Sequence, residues 1–412
     1  MLDISTKSWF RFGLISLVLV ALFGTLMRYK IVFDFPFFNQ KNLLHAHSHF
    51  AFAGWVSHFL YTGITNLLLP YLNIQRKKIY NFLILLNMIC AFGMLISFTI
   101  QGYALFSITF STLSIFISIA FGLFFWMDSR KKLIDHPSKP WANTGLFLNI
   151  ISCAGPFYLA YMLASKQVNH EFYISSIYYY LHFQYSGWFF FGSMALIVSK
   201  LPKDFPRLNQ FHKLFTLTII PTFFLSVLWL ELPLWLYIIT VLATFIQLFA
   251  WIRILQKGIY YIKTKGNVFS IPKWISIFFY VATISLTLKF ILQAISVIPD
   301  LSELVFGLRP IIIAYLHLVL LGVYSSFIIG YLFSTLYLNS SKLAKISALI
   351  FLVGIFLNEL FLGTQGFAAF AYVPIPYVNE CLLLAAIVLF VSANGLALSQ
   401  FITSSKISKS RD

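Results

Sequence analysis

Long apolar stretches alternate with short polar and basic breaks along the whole chain. Twelve of these stretches are long enough to cross a hydrocarbon layer about 30 Å thick, which takes about 20 residues of helix. The breaks hold charged and turn-forming residues, and Gln101-Gly102 predicts a very tight hairpin. The predicted spans are 9–29, 43–70, 79–101, 104–127, 144–165, 176–199, 212–230, 233–255, 273–296, 310–337, 343–363 and 378–401.

The composition agrees with a chain embedded in a lipid bilayer. Of its 412 residues, 60% are hydrophobic and only 10% are charged, whereas about 25% are charged in a typical soluble domain. These values exclude a water-soluble enzyme, a disordered chain and a nucleic-acid-binding module. Because no break is long enough for a separate domain, residues 1–412 are predicted to form a single all-α domain of twelve transmembrane helices.

The distribution of basic residues predicts the orientation in the membrane and explains the net charge of +17. If the N-terminus is cytoplasmic, 23 of the 29 Lys and Arg residues fall in cytoplasmic segments, and only Lys289 lies inside a span. This bias is the positive-inside pattern of multi-pass proteins. We therefore expect both termini to be cytoplasmic, in the cell (inner) membrane, and we expect no nucleic-acid partner.

Histidines open three spans that run from outside to inside in this topology. His45, His47 and His49 open the second span, His182 opens the sixth, and His317 opens the tenth. His49 and His317 would both lie roughly 10 Å below the outer interface, at 1.5 Å per helical residue. Imidazoles at matched depth on two helices suit the two axial positions of a low-spin heme iron. His45 and His49 share a helical face and could instead chelate a transition metal, with His182 as a further ligand.

Two motifs resemble those of a known superfamily. The His-rich start of the second span leads to Gly54-Trp55, and the tenth span contains His-Leu-Val-Leu-x-Gly, from His317 to Gly322. Together with twelve spans, these motifs resemble subunit I of the heme-copper oxidases, a superfamily that includes the nitric oxide reductases. The resemblance implies a subunit I-like bundle that binds a low-spin heme through His49, or His47 as the next choice, and His317.

The same resemblance predicts a degraded or absent oxygen-reducing centre. Tyr315 stands where the family has the histidine that binds the high-spin heme, and the seventh span lacks the family's pair of copper-binding histidines. His182 matches the third copper ligand of the family. Because one ligand of three is too few, copper binding is not expected. Lys289 and Arg309 are candidate cations for the heme propionates. Either could instead extend to the outer interface or form an ion pair with Glu303 or Glu359.

The sequence therefore predicts a heme-binding membrane protein that transfers electrons, handles a diatomic gas or assists a respiratory complex. If it is an enzyme, it is an oxidoreductase, and its partners besides lipid are other respiratory subunits or a cytochrome. A transporter or channel that uses the same histidines for metal or proton handling is the alternative. A metal-dependent membrane hydrolase using His45, His49 and His182 is a third possibility, but no carboxylate cluster accompanies these histidines.

Overall fold

The structure is a computed structural model that describes residues 4–202, 204–206, 208–266, 271–301 and 308–409, with side chains described up to residue 402. Three basic residues of the charge pattern, Lys203, Arg207 and Arg411, lie outside the described residues. Within these ranges the chain is helical and has no β-strand. The α-helices are α1 (Thr6–Val32), α2 (Gln40–Phe50), α3 (His58–Leu68), α4 (Ile74–Gln101), α5 (Leu105–Lys132), α6 (Lys139–Ser152), α7 (Ala154–Ser165), α8 (His170–His182), α9 (Phe189–Lys200), α10 (Asn209–Thr218), α11 (Leu234–Lys265), α12 (Lys273–Ile295), α13 (Arg309–His317), α14 (Ser326–Ser334), α15 (Lys342–Phe370) and α16 (Val378–Lys409).

Nine helical stretches within the described ranges are long and apolar enough to cross a membrane. The protein is therefore an all-α, multi-pass membrane protein, as the apolar pattern predicts. The nine stretches are Thr6–Val32, Ile74–Gln101, Leu105–Lys132, Lys139–Ser165, Leu234–Lys265, Lys273–Ile295, Arg309–Ser334, Lys342–Phe370 and Val378–Ile402.

The other three predicted spans are helical but do not qualify by length and apolarity, so the count of twelve stays a prediction. Spans 43–70 and 176–199 contain many His, Ser, Thr and Tyr residues, which lower their hydropathy. Span 212–230 is interrupted, because α10 ends at Thr218 and a 3₁₀-helix follows at Pro221–Val227. Proline lacks the backbone N–H that would continue an α-helix.

Three pairs of helices are joined without a break by wider, π-helical turns. These segments are Ala51–Ser57 between α2 and α3, Phe183–Trp188 between α8 and α9, and Leu318–Ser325 between α13 and α14. Each contains a glycine five residues after a histidine: His49 and Gly54, His182 and Gly187, His317 and Gly322. At Gly322 a Cβ atom would lie 2.6 Å from Ser285 Oγ, so glycine lets α12 approach closely. π-helical turns are rare and occur frequently at functional sites.

The π-containing helices lie in the interior of the bundle. Helix α4 packs on α5 and α15 packs on α16, and α1 packs on α16, which brings the first and last helices together. Phe50, Phe59, Trp188 and Phe189 on the interior helices are fully buried. Aromatic side chains on α5 are exposed by contrast, Phe116 among them, as expected of a lipid-facing helix. His182 is likewise buried, whereas α13 has no buried residue and His317 at its end is half-buried.

Candidate functional site

The second and tenth predicted spans contact each other directly and run in the same direction. Trp55 Nε1 donates a buried hydrogen bond to Ser325 Oγ at 2.9 Å. Further along, the Phe59 ring lies 6.2 Å from that of Phe327 and 5.6 Å from that of Tyr331. Because the contacts advance in step along both helices, the helices are parallel. Residues equally far from the Trp55–Ser325 contact therefore lie at similar depth.

His47 and His317 occupy equivalent positions relative to this contact. Each lies eight residues before it, which is roughly 12 Å along a helix. Two α-helical turns take about seven residues, and a π-helical turn takes up about one more. Eight residues that include π-helical turns therefore return to the same helical face. Consistent with this, the side chains of His47 and His317 lie within electrostatic range of each other.

Both imidazoles are oriented by the main chain. His47 Nδ1 lies 3.0 Å from the Val20 carbonyl oxygen of α1, and His317 Nδ1 lies 2.8 Å from the Ile313 carbonyl oxygen. A carbonyl oxygen only accepts hydrogen bonds, so Nδ1 carries the proton and Nε2 keeps its lone pair. Among the described residues no hydrogen bond to either Nε2 atom is found. Metal-binding histidines usually donate their other N–H to such a partner, which leaves one nitrogen for the metal.

Helix α1 forms one wall of this site and supplies a positive charge. Arg28 lies within electrostatic range of both His47 and His317. One turn earlier, a Cβ atom on Gly24 would lie 3.4 Å from His47 Cε1, so the histidine ring lies directly against the glycine. The sequence analysis assigned no role to Arg28. Arg28 lies at the outer end of a span, where basic residues are uncommon. That position is the signal that could have identified it.

His49, the first-choice ligand from the sequence, faces a different neighbour. Its ring stacks on Phe98 of α4 at 4.5 Å and 13°, and its Nε2 lies 3.1 Å from the Tyr103 hydroxyl. The His45 ring lies 4.6 Å from the Tyr103 ring, on the same side of α2. Residues two apart on a helix do not face the same way. The geometry therefore pairs His47, the second choice, with His317.

His182 packs against different residues from His45. It also bonds to the main chain through Nε2, whereas His47 bonds through Nδ1. Its Nε2 lies 2.8 Å from the Ile219 carbonyl oxygen, so Nε2 carries the proton. The ring packs against Phe183 and Phe223, whereas His45 packs against α4. In the described part of the chain, no group of three or more His, Cys, Asp or Glu side chains is placed to hold a metal ion. A second metal at His45 and His182 has no support from these contacts.

The two predicted propionate cations differ in location. Lys289 is only 3% exposed, and its Nζ donates to Gln293 Oε1 at 2.7 Å, so the side chain points into the protein and does not extend to the outer interface. Arg309 is exposed at the first residue of α13. Tyr315, at the family's high-spin ligand position, lies with its ring 6.0 Å from that of Tyr185. The structure thus places Arg28, and not Lys289, beside the histidine pair.

No protein-family model matches the chain, and no curated protein matches it. The interpretation of the site therefore rests on its chemistry: two imidazole nitrogens with free lone pairs, on parallel helices at similar depth, beside one guanidinium group. Such a site can coordinate a metal centre from two sides and bind a carboxylate at its edge.

Proposed function

We propose that this chain is a heme-binding membrane protein with the architecture of the heme-copper oxidase subunit I superfamily, and that His47 and His317 bind the heme iron. The observation that carries the proposal is the matched hydrogen bonding of the two imidazoles. Each donates Nδ1–H to a carbonyl oxygen and keeps its Nε2 lone pair.

The residues around the pair fit a heme in three respects. Axial imidazoles need one free nitrogen each, at about 2 Å from a metal. The propionates need cations, and Arg28 lies within electrostatic range of both histidines. Heme binding also needs the His47 imidazole held in one position. Gly24 and the Val20 carbonyl group of α1 contact that imidazole and hold it there. When bound, the heme supplies one-electron chemistry at its iron.

The proposal includes twelve spans with cytoplasmic termini. The second and sixth spans are less apolar than the other spans. They also lie inside the bundle, since His58, Gln184 and Trp188 on them are buried by protein. A helix shielded from lipid by its neighbours tolerates polar residues that lipid-facing helices do not. The positive-inside bias then places the N- and C-termini in the cytoplasm.

The proposed role is one-electron transfer or the handling of a diatomic gas, with a cytochrome or other respiratory subunits as partners. We expect no reduction of oxygen to water. The seventh span offers no histidine pair, Tyr315 replaces the high-spin ligand, and His182 Nε2 is bound to a carbonyl group. Cyanide-sensitive oxygen consumption by the isolated protein would contradict this expectation.

The full chain, expressed with ample heme and purified in detergent, tests the proposal by visible absorption. We expect a Soret band, about one heme per chain by pyridine hemochrome, and a low-spin spectrum. His317→Ala should convert the spectrum to high-spin and reduce heme retention. His170→Ala, at an exposed position of α8, serves as the control and should leave it unchanged. A folded wild-type protein without a Soret band overturns the proposal in favour of metal or proton transport.

A further inference from the structure

Lys289 is a buried cation in the middle of the polypeptide bundle. It lies on α12, sixteen residues from the start of that helix, and is 3% exposed. The two salt bridges found in the described residues, Arg76–Asp128 and Lys265–Asp204, do not involve it. His182 lies within electrostatic range, but a histidine contributes no negative charge. Within the described residues, which exclude Glu303, the ammonium group has no anionic partner, only the Gln293 amide oxygen and the face of the Phe290 ring at 4.4 Å. Burial of a charge without a counter-charge is strongly unfavourable, so this lysine suggests a missing anion.

A chain of hydrogen bonds leads away from Lys289 across three further side chains. Lys289 Nζ donates to Gln293 Oε1 at 2.7 Å, and Gln293 Nε2 donates to Gln247 Oε1 at 3.1 Å. Gln247 Nε2 then donates to Thr222 Oγ1 at 3.1 Å, and Thr222 donates to the Thr218 carbonyl oxygen at 2.9 Å. Every donor in the chain points away from the lysine.

This direction leaves the network rich in donors. An ammonium group has three N–H donors and no acceptor, and each glutamine amide has two N–H donors. Each amide oxygen already accepts a bond, while Lys289 uses one of its donors and the amides of Gln247 and Gln293 one each. Most of the hydrogen-bonding groups that remain free around the lysine are therefore N–H donors, and they lie on or near a positive charge. Such a group of side chains is suited to an anion and not to a metal ion.

The lysine also borders a small cavity. Four helical segments each contribute one polar side chain to its lining, and aromatic rings such as Phe190 and Phe290 complete it. The polar side chains are those of Lys289, Gln247, Ser186 and Tyr324. Its volume is about 10 Å³, which is on the order of the space that one water molecule needs. We therefore expect it to admit a small spherical anion more readily than a polyatomic oxyanion such as nitrate or sulfate.

We propose that this cavity is a binding site for one small monovalent anion of halide size, chloride being the available example, held by the Lys289 ammonium and the Gln247 amide. The proposal is independent of the heme site, because in the described part of the chain neither Lys289 nor Gln247 forms a hydrogen bond with His47 or His317. Heme content and anion binding are measured separately, so either can fail without the other.

Equilibrium binding of radioactive chloride to the purified full chain tests this site. We expect saturable binding of about one chloride per chain, displaced by bromide and not by nitrate or sulfate. Lys289→Met should abolish the saturable binding, while Lys342→Met, at an exposed position of α15, should leave it unchanged. Gln247→Leu keeps the charge and should weaken binding roughly fivefold, the effect of one lost hydrogen bond.

Three results would overturn the proposal. Wild-type protein without saturable chloride binding would mean that Lys289 is buried without an anion. Equal displacement by nitrate would mean that the small cavity does not hold the ion. Unchanged binding in both Lys289→Met and Gln247→Leu would place the ion elsewhere. If Lys289→Met does not fold, the wild-type isotherm and Gln247→Leu still decide the question.

Discussion

The two sides of α2 carry the same residue type at nearly the same depth, yet they offer different chemistry. On one side, His47 donates from Nδ1 to the Val20 carbonyl group and keeps Nε2 free. On the other, His49 stacks on Phe98 and bonds through Nε2 to the Tyr103 hydroxyl. The comparison shows that the ability of a buried histidine to bind a metal depends on which nitrogen its neighbours occupy. Depth and spacing alone do not decide it.

The largest expected effect separates these two sides directly. His47→Ala should remove one axial ligand, convert the heme from low-spin to high-spin, and accelerate its loss. The change should exceed the 10–100-fold effects typical of a lost outer-shell partner. Visible spectra and heme transfer to apomyoglobin measure both quantities.

His49→Ala is the matched variant, two residues away on the same helix. It should leave the spectrum low-spin, because His49 packs on α4 and not toward His317. The reverse result, a high-spin protein with His49→Ala and an unchanged one with His47→Ala, would restore His49 as the ligand.

The apolar pattern of the sequence correctly predicted a multi-pass helical protein. It did not predict the direction in which each histidine side chain points. In an uninterrupted α-helix of 3.6 residues per turn, Trp55 would lie about 80° around the helix axis from His47, because eight residues exceed two turns. The π-helical segment Ala51–Ser57 corrects this offset. The sequence analysis ranked His49 above His47 on its matched depth with His317 and on the family resemblance, and neither criterion reports which way a histidine faces. The proximity of Arg28 to both histidines depends on how α1 packs and could not be derived from the sequence, although a basic residue at the outer end of a span is itself unusual.

A steric change on α1 is expected to have the next largest effect. Gly24→Leu would push on the His47 ring, since even a Cβ atom there lies 3.4 Å from Cε1. We expect partial loss of heme and a mixed-spin spectrum at constant expression. Gly122→Leu on α5 is the control, because a Cβ atom at Gly122 would lie 2.9 Å from Ile150 and its nearest neighbours include neither a histidine nor Trp55. Equal heme loss in both variants would indicate general damage to the bundle.

Removal of the nearby charge should have a smaller effect and leave the ligands intact. A cation near the iron favours the reduced state, which carries one positive charge less, so Arg28→Gln should lower the heme midpoint potential. A shift on the order of 60 mV corresponds to a tenfold change in a one-electron equilibrium. Arg309→Gln, at the exposed start of α13, should shift the potential less. A larger shift with Arg309→Gln would restore the propionate role predicted for that residue.

The smallest effect is expected at the contact that sets the common depth of the two histidines. Trp55→Phe removes the hydrogen bond to Ser325 Oγ while an aromatic ring still fills the space. Ser325 keeps its own bond to the Leu320 carbonyl oxygen, so no donor is left unpaired. The loss in unfolding free energy should be about 0.6 kcal/mol, the average for such bonds between membrane helices.

Trp188→Phe is the matched control, because it removes the comparable bond to Ser57 Oγ, between the second and sixth spans. Both variants should lose similar stability in detergent unfolding titrations, but only Trp55→Phe should accelerate heme release, because it alone loosens the pair of helices that carry His47 and His317. Equal heme release rates in the two variants would show that this contact does not position the ligands.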